Sequence, residues 1–135
     1  MPVTFTGTDD IIREMERRYG QAKVKKAARA ALIEGAEVVE KAMQASFNSF
    51  ADTGASRDEI VFSLPRSIGG VLRIRLGWRG PKDRWRLIHL NENGYTRDGR
   101  RVTPRGYGTI RRTVAAVSPA FIEAVRESLR KQLML

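Results

Sequence analysis

An apolar stripe at helical spacing covers about residues 21–49, and it restricts the fold more than any other feature of the sequence. Its members recur at steps of three, four and one residues, as in an amphipathic helix: Val24, Ala27, Ala28, Ala31, Leu32, Ala36, Val39, Met43 and Phe47. Such a helix is about 40 Å long at 1.5 Å per residue. We interpret it as a core helix that crosses a sheet. Because much of the stripe is alanine, another element or another subunit can approach closely, and Gly35 marks a tight crossing.

A shorter helix precedes this segment, and alternating strands follow it. Thr8 can cap the first helix, which ends at Gly20 and whose apolar face is Ile11, Ile12, Met15 and Tyr19. Residues 60–64 alternate as a strand that Pro65 stops. Residues 72–78 alternate most clearly, with one apolar face and with Arg73 and Arg75 on the other. The apolar face comprises Leu72, Ile74, Leu76 and Trp78.

The last third of the chain is first basic and then helical. Residues 84–90 fit a strand or a short irregular element, and residues 94–108 fit an extended, exposed basic loop or hairpin with a turn at Asp98-Gly99. A short helix follows over residues 109–117. A final helix starts at Ser118-Pro119, with the stripe Phe121, Ile122, Val125, Leu129 and Leu133. This order predicts a single α+β domain over residues 1–135, with N-terminal helices on a small antiparallel sheet and C-terminal helices after it.

Length and composition exclude several classes of protein. A chain of 135 residues fits one domain, and the absence of cysteine excludes disulfides, thiol nucleophiles and thiolate zinc sites. No apolar run approaches about 18 residues, so we expect no membrane span. The first residues lack the pattern of a signal peptide, so we expect a cytoplasm-like compartment.

The positive charge lies in the middle of the chain. The net charge is +10, and residues 65–112 carry all of it, with 13 basic and three acidic side chains. All of these basic residues except Lys82 are arginines, whose planar guanidinium can donate two parallel hydrogen bonds to a phosphate or a carboxylate. The segment therefore predicts an anionic partner, which is either a nucleic acid or an acidic protein surface.

Aromatic residues alternate with these arginines, a mixture that is typical of single-strand binding platforms and of protein interfaces. In the alternative without a binding role, Trp78 and Trp85 are core residues and the arginines form a solvated rim. The candidate partner-interface residues are Arg73, Arg75, Arg97, Arg100, Arg101, Arg105, Tyr95 and Tyr107.

Catalytic patterns are hard to find, and we assign no catalytic, cofactor-binding or metal-binding residue. The sequence has neither a Gly-x-Ser-x-Gly elbow nor a phosphate-binding Gly-x-x-x-x-Gly-Lys-Ser/Thr loop. The stretch from His89 to Asn93 is loosely similar to the His/Asn sets of one-metal nucleases, but further ligands cannot be named. We expect His89 to be a half-buried ring with a satisfied hydrogen bond.

Two neighbouring stretches resemble a known family. Residues 84–97 read Arg-Trp-Arg-Leu-Ile-His-Leu-Asn-Glu-Asn-Gly-Tyr-Thr-Arg, and residues 102–108 read Val-Thr-Pro-Arg-Gly-Tyr-Gly. They resemble the tail-completion, neck or head–tail joining proteins of long-tailed double-stranded DNA phages and prophages. Members have Thr-Gly before the strands, as at Thr53-Gly54, and a His-Leu-x-Glu-x-Gly stretch, as over residues 89–94. Many carry Pro-Phe before the last helix, where this chain reads Arg-Gly-Tyr-Gly. The resemblance covers about residues 50–125.

The resemblance implies an α+β subunit that forms a ring, usually a hexamer, at the head-proximal end of the tail in the virion. It implies assembly in the host cytoplasm, docking to connector and tail-tube proteins, passive contact at most with duplex DNA, and no catalysis, cofactor or membrane. The basic stretch over residues 94–108 is long enough to reach a neighbouring subunit. The alternative function is a basic nucleic-acid-binding module. A third, a small nuclease, predicts metal-dependent cleavage that depends on His89.

Overall fold

The computed structural model describes residues 3–4, 9–48 and 54–133. It contains five helices in these ranges: α1 (Asp9–Tyr19), α2 (Gln21–Asn48), α3 (Ala55–Asp58), α4 (Trp85–Asn93) and α5 (Thr109–Leu133). The strands are β1 (Val3–Thr4), β2 (Ile60–Phe62), β3 (Arg66–Ile68), β4 (Val71–Arg73), β5 (Arg75–Trp78), β6 (Tyr95–Arg97) and β7 (Arg100–Val102). The predicted α+β class is confirmed. The predicted cap Thr8 and the end of the long helix at Ser49 lie outside the described residues.

Helices α2 and α5 form the centre of the molecule. The whole predicted stripe of α2 is buried, and it packs chiefly along α5, although β2 also contacts the helix. The crossing is closest at Gly35, where an added Cβ would lie 2.6 Å from Cε2 of Phe121 and 2.9 Å from Cγ2 of Val125. The tight crossing at Gly35 is therefore confirmed, and its partner is a second helix rather than the expected sheet.

A three-stranded antiparallel sheet in the order β1-β5-β2 covers one end of α2. Trp78 pairs in register with Ile60, and its ring lies 5.3 Å from that of Phe47 on α2. Its indole Nε1 donates to the carbonyl of Ser56 at 2.7 Å. The predicted inward face is confirmed for Ile74, Leu76 and Trp78. The strand predicted over residues 60–64 is shorter in the structure, because β2 ends at Phe62, and Leu64 is 76% exposed.

The segment predicted as one strand over residues 72–78 is divided at Ile74. Its first part, β4, forms a separate hairpin with β3, and its second part, β5, belongs to the sheet. A second hairpin joins β6 to β7 through Asp98 and Gly99, whose φ angles are +51° and +76°. Two positive φ angles are the requirement of a type I′ turn. This hairpin lies within residues 94–108, the stretch for which the sequence predicts an extended basic loop or hairpin.

Residues 84–90 form no strand, and the prediction of a strand or irregular element is wrong. Helix α4 buries Ile88 and Glu92, four residues apart, whereas Trp85 and Leu87 are exposed. One apolar residue and one buried acid make too short a stripe for the helical period to be visible.

The two predicted C-terminal helices are one. Helix α5 continues through Pro119, and the Ser118 hydroxyl donates to the carbonyl of Val114 at 2.6 Å instead of capping a new helix. Proline removes the bond to the carbonyl of Ala115. Ala115 is exposed, so water can satisfy that carbonyl. Ile122, predicted in the buried stripe, is 51% exposed. No helix in the described part of the chain is long and apolar enough to span a bilayer.

Candidate docking surface

The β6–β7 hairpin presents two arginines side by side. Arg97 and Arg100 lie directly opposite each other in the register of the two strands. Every residue from Thr96 to Arg101 is exposed, and the hairpin pairs with no third strand among the described residues. Like charges directly opposite in a sheet are destabilising. Neither guanidinium has an ion-pair or hydrogen-bond partner in the described part of the subunit. This pair is therefore available to an external anion.

A second cross-strand arginine pair lies on the β3–β4 hairpin. Arg66 is exposed and lies opposite Arg73, which is half-buried. The Nε of Arg73 is buried and has no hydrogen-bond partner in the residues described. Arg75 follows on β5, with its side chain exposed and its backbone N–H donated to Oγ of Ser63 at 3.0 Å. The two candidates Arg73 and Arg75 thus lie close along the chain, but only Arg75 is fully presented.

Three candidate residues are engaged within the chain, and a fourth is half-buried. Arg101 donates through Nη2 to the carbonyl of Asn93, which ties the hairpin to the end of α4. Arg105 also has an interaction within the chain. Tyr107 is 40% exposed, and the guanidinium of Arg111 lies 5.5 Å from its ring centre. Tyr95 is half-buried. The structure therefore separates the presented pair Arg97 and Arg100 from Arg101, which attaches the hairpin to α4, and from the three other candidates.

The buried carboxylate of Glu92 holds this region together. Glu92 is 2% exposed, and it accepts hydrogen bonds from the backbone N–H of Ile110 at 2.7 Å and of Arg111 at 3.0 Å. It also lies 3.2 Å from Nε of Arg111. The first turn of a helix has free N–H groups and a partial positive charge, so a carboxylate there is a strong cap. Glu92 therefore fixes the start of α5 against the end of α4.

The backbone around Glu92 adds to this attachment. Gly108 donates its N–H to the carbonyl of Glu92 at 3.0 Å, and Gly94 donates to the carbonyl of Leu90 at 2.9 Å. Gly94 has φ +72°, and an added Cβ would lie 2.8 Å from the carbonyl of Val102. The His-Leu-x-Glu-x-Gly stretch thus supports the base of the β6–β7 hairpin. Sequence reasoning did not find this role, because the partners of Glu92 lie 18 and 19 residues further along the chain.

Glu59 supports the turn before α4, over residues 80–84, in the same way. It is 4% exposed, and its carboxylate accepts the backbone N–H groups of Lys82 at 3.0 Å and Arg84 at 3.1 Å. Arg84 in turn donates to Oγ of Ser56 at 2.8 Å. Both buried glutamates therefore bind backbone N–H groups of the basic segment and position its turns.

One expectation and one alternative about single residues are wrong. His89, predicted to be half-buried with a hydrogen bond, is exposed on α4 and has no partner among the described residues. The alternative in which Trp85 is a core residue beside Trp78 does not hold, because Trp85 is 50% exposed, with the guanidinium of Arg86 5.1 Å from its ring. Trp78 is in the core, as predicted. No group of three His, Asp or Glu side chains within the described ranges could hold a metal ion.

Comparison with known proteins finds no matching family model, no matching curated protein and no matching solved structure. The resemblance to phage neck proteins therefore stays a prediction from the sequence.

Proposed function

We propose that this chain is a structural subunit of a phage tail–head junction, which assembles as a ring and docks to neighbouring neck proteins. The observation that carries the proposal is the presentation of Arg97 and Arg100 on an exposed hairpin without an acidic partner in the described part of the subunit. Exposed guanidinium groups without an acidic partner can bind an anionic surface. Their presentation supports a role in assembly, which is the role that the resemblance over residues 50–125 implies.

The local role of the family-like stretch supports the same proposal. Its one acidic side chain, Glu92, is 2% exposed and is bound by two backbone N–H groups and an arginine, so it is not presented to a substrate. Its histidine, His89, is exposed on the outside of α4. These positions fit a frame for a docking hairpin better than they fit an acid–base site.

One observation favours the alternative function, a nucleic-acid-binding module. Trp85 is half exposed beside Arg86, and an unpaired base could stack on such a ring. We favour an acidic protein partner, because tight contacts with phosphates would slow the passage of DNA through the junction. Affinity for a duplex of about 30 base pairs and for a single strand of about 30 nucleotides, both at about 150 mM NaCl, decides between them. We expect binding weaker than micromolar, and a submicromolar dissociation constant would contradict the preferred partner.

Deletion of the gene from the phage or prophage genome that carries it tests the function itself. We expect filled heads and complete tails that remain unjoined in electron micrographs, and recovery of joined particles when the wild-type chain is supplied from a plasmid. The His89→Ala variant should restore joining equally well, because that side chain is exposed and unpartnered. Joined, infectious particles in the absence of the gene would disprove the proposal.

A further inference from the structure

We infer that the contact between neighbouring copies is head-to-tail, with Arg97 and Arg100 of one subunit docked on Glu34 and Glu37 of helix α2 in the next. This inference rests on the proposed function, which requires a ring, and it names the surfaces that form it. The occupant of the arginine hairpin is therefore a second copy of this chain.

The acidic surface lies on the outer side of α2. Residues 30–40 contain three glutamates and no lysine or arginine, and the stretch is bounded by Arg29 and Lys41. Glu34 and Glu37 are exposed and lie outside the buried stripe of α2. Neither glutamate has an ion pair or hydrogen bond in the part of the chain that the structure describes. Lys41 lies one turn beyond Glu37, and Asp98 lies in the turn between the two arginines, but neither forms an ion pair with these residues in the described part of the chain.

The spacing of the two pairs matches. Residues directly opposite in an antiparallel pair have Cβ atoms about 5 Å apart, which applies to Arg97 and Arg100. Residues three apart on a helix have Cβ atoms about 5–6 Å apart, which applies to Glu34 and Glu37. Two parallel guanidinium groups can therefore lie over two parallel carboxylates, and each can donate two hydrogen bonds to its partner.

The electrostatic state of Glu40 agrees with this assignment. Burial of the Glu40 carboxyl, and next the charge of Glu37, raise its pKa above the usual 4.5. Partial burial is the larger cause, and the negative charge of Glu37 adds to it. An arginine arriving from a neighbouring copy would relieve the repulsion between the glutamates.

The two surfaces differ, so their pairing joins unlike patches and propagates from copy to copy. A contact of this kind closes into a ring when its rotation divides the circle. Exposed ion pairs contribute little affinity by themselves. Here they fix the register and orientation of the contact. Half-buried Ile33 and Val38 beside the glutamates, and Tyr95 and Val102 at the base of the hairpin, supply apolar area.

The absence of cysteine in the chain allows a direct test by disulfide trapping. The variant Arg97→Cys/Glu37→Cys retains Arg100 and Glu34, and it is oxidised at about 50 mM NaCl. We expect a ladder of covalent multimers that ends at a closed ring. Species larger than the dimer should be at least about tenfold more abundant than in the control variant. The matched control is Arg97→Cys/Glu123→Cys, which moves the second thiol to the exposed face of α5. Raising NaCl to about 500 mM should reduce the ladder, because salt screens exposed charges.

The single-cysteine variants Arg97→Cys and Glu37→Cys should form little covalent dimer, because a head-to-tail contact brings neither thiol against its own copy. A ladder no stronger than the control, or preferential formation of an Arg97→Cys homodimer, would overturn the head-to-tail contact. The result is separable from the proposed function. If trapping fails while gene deletion leaves heads and tails unjoined, the contact is wrong and the function stands. If trapping succeeds while deletion leaves joined particles, the contact stands and the function is wrong.

Discussion

The carboxylate of Glu92, near the end of α4, accepts the backbone N–H of Ile110 in the first turn of α5 at 2.7 Å. Because the two elements flank the β6–β7 hairpin in the chain, this hydrogen bond, together with those from Arg111 and Gly108 to Glu92, closes the hairpin at its base. The arrangement explains why an acid is buried in a segment of strong positive charge. The candidate docking surface depends on this attachment for its orientation.

Replacement of Glu92 by alanine should lower the free energy of unfolding by about 3 kcal/mol. The substitution leaves the N–H of Ile110 buried without a partner and removes the negative charge at the start of α5. Urea denaturation followed by circular dichroism measures the change. The control is Glu123→Ala. Glu123 forms an exposed ion pair with Arg126 at 3.1 Å, and its loss should lower the free energy of unfolding by less than about 0.5 kcal/mol. Equal stabilities of the two variants would show that Glu92 is not the cap described.

Replacement of Gly35 by alanine should destabilise the protein by about 1 kcal/mol, although alanine is the better helix former. The added methyl would lie 2.6 Å from the Phe121 ring on α5, so the two central helices must separate. Thermal unfolding provides the measurement. Gly77→Ala is the matched control, since no heavy atom lies within 4 Å of its added Cβ, and it should be neutral or slightly stabilising. An increase in melting temperature for Gly35→Ala would contradict the tight crossing.

Replacement of Glu40 by glutamine should raise stability at neutral pH by about 0.3 kcal/mol. Burial and Glu37 raise the pKa of Glu40, so its ionised form is less favourable in the folded than in the unfolded protein. The destabilisation is absent below the unfolded value of about 4.5, grows as pH rises toward the raised folded value, and is complete above it. The advantage of Glu40→Gln should therefore disappear by about pH 4.

Urea denaturation at a series of pH values measures this difference. Glu123→Gln, which removes a glutamate that is paired with Arg126, should give no gain at neutral pH. An advantage of Glu40→Gln that is equal at pH 4 and pH 7 would show that its origin is not the charge.

The parts of the fold that the sequence predicts are those with a long, regular period. Helix α2 has ten buried positions, and β5 has an alternating pattern that its sheet preserves. Helix α4 escaped prediction because the buried member beside Ile88 is the charged Glu92, which a hydrophobic pattern cannot recognise. The prediction at Pro119 failed for a related reason. Ser-Pro is typical of a helix start, but here the helix that begins at Thr109 continues through Pro119.

The sequence predicts the positive charge of the candidate site, but not which of its arginines are presented to a partner. Counting arginines places the excess in residues 65–112. The sequence could not show that Arg101 is bound to the carbonyl of Asn93 while Arg97 and Arg100 are not. That difference depends on how α4 ends and on the register of the hairpin.

A charge-exchange experiment tests the central claim most directly, by light scattering on two variants, Arg97→Glu/Arg100→Glu and Glu34→Arg/Glu37→Arg. In the first variant both surfaces are acidic, and in the second both are basic, so neither should assemble alone. Their equimolar mixture should form alternating rings with an even number of subunits, which for the hexamer is six times the 15.2 kDa of one chain. If either variant assembles by itself as the wild type does, or if the mixture of folded variants stays monomeric, the account is contradicted.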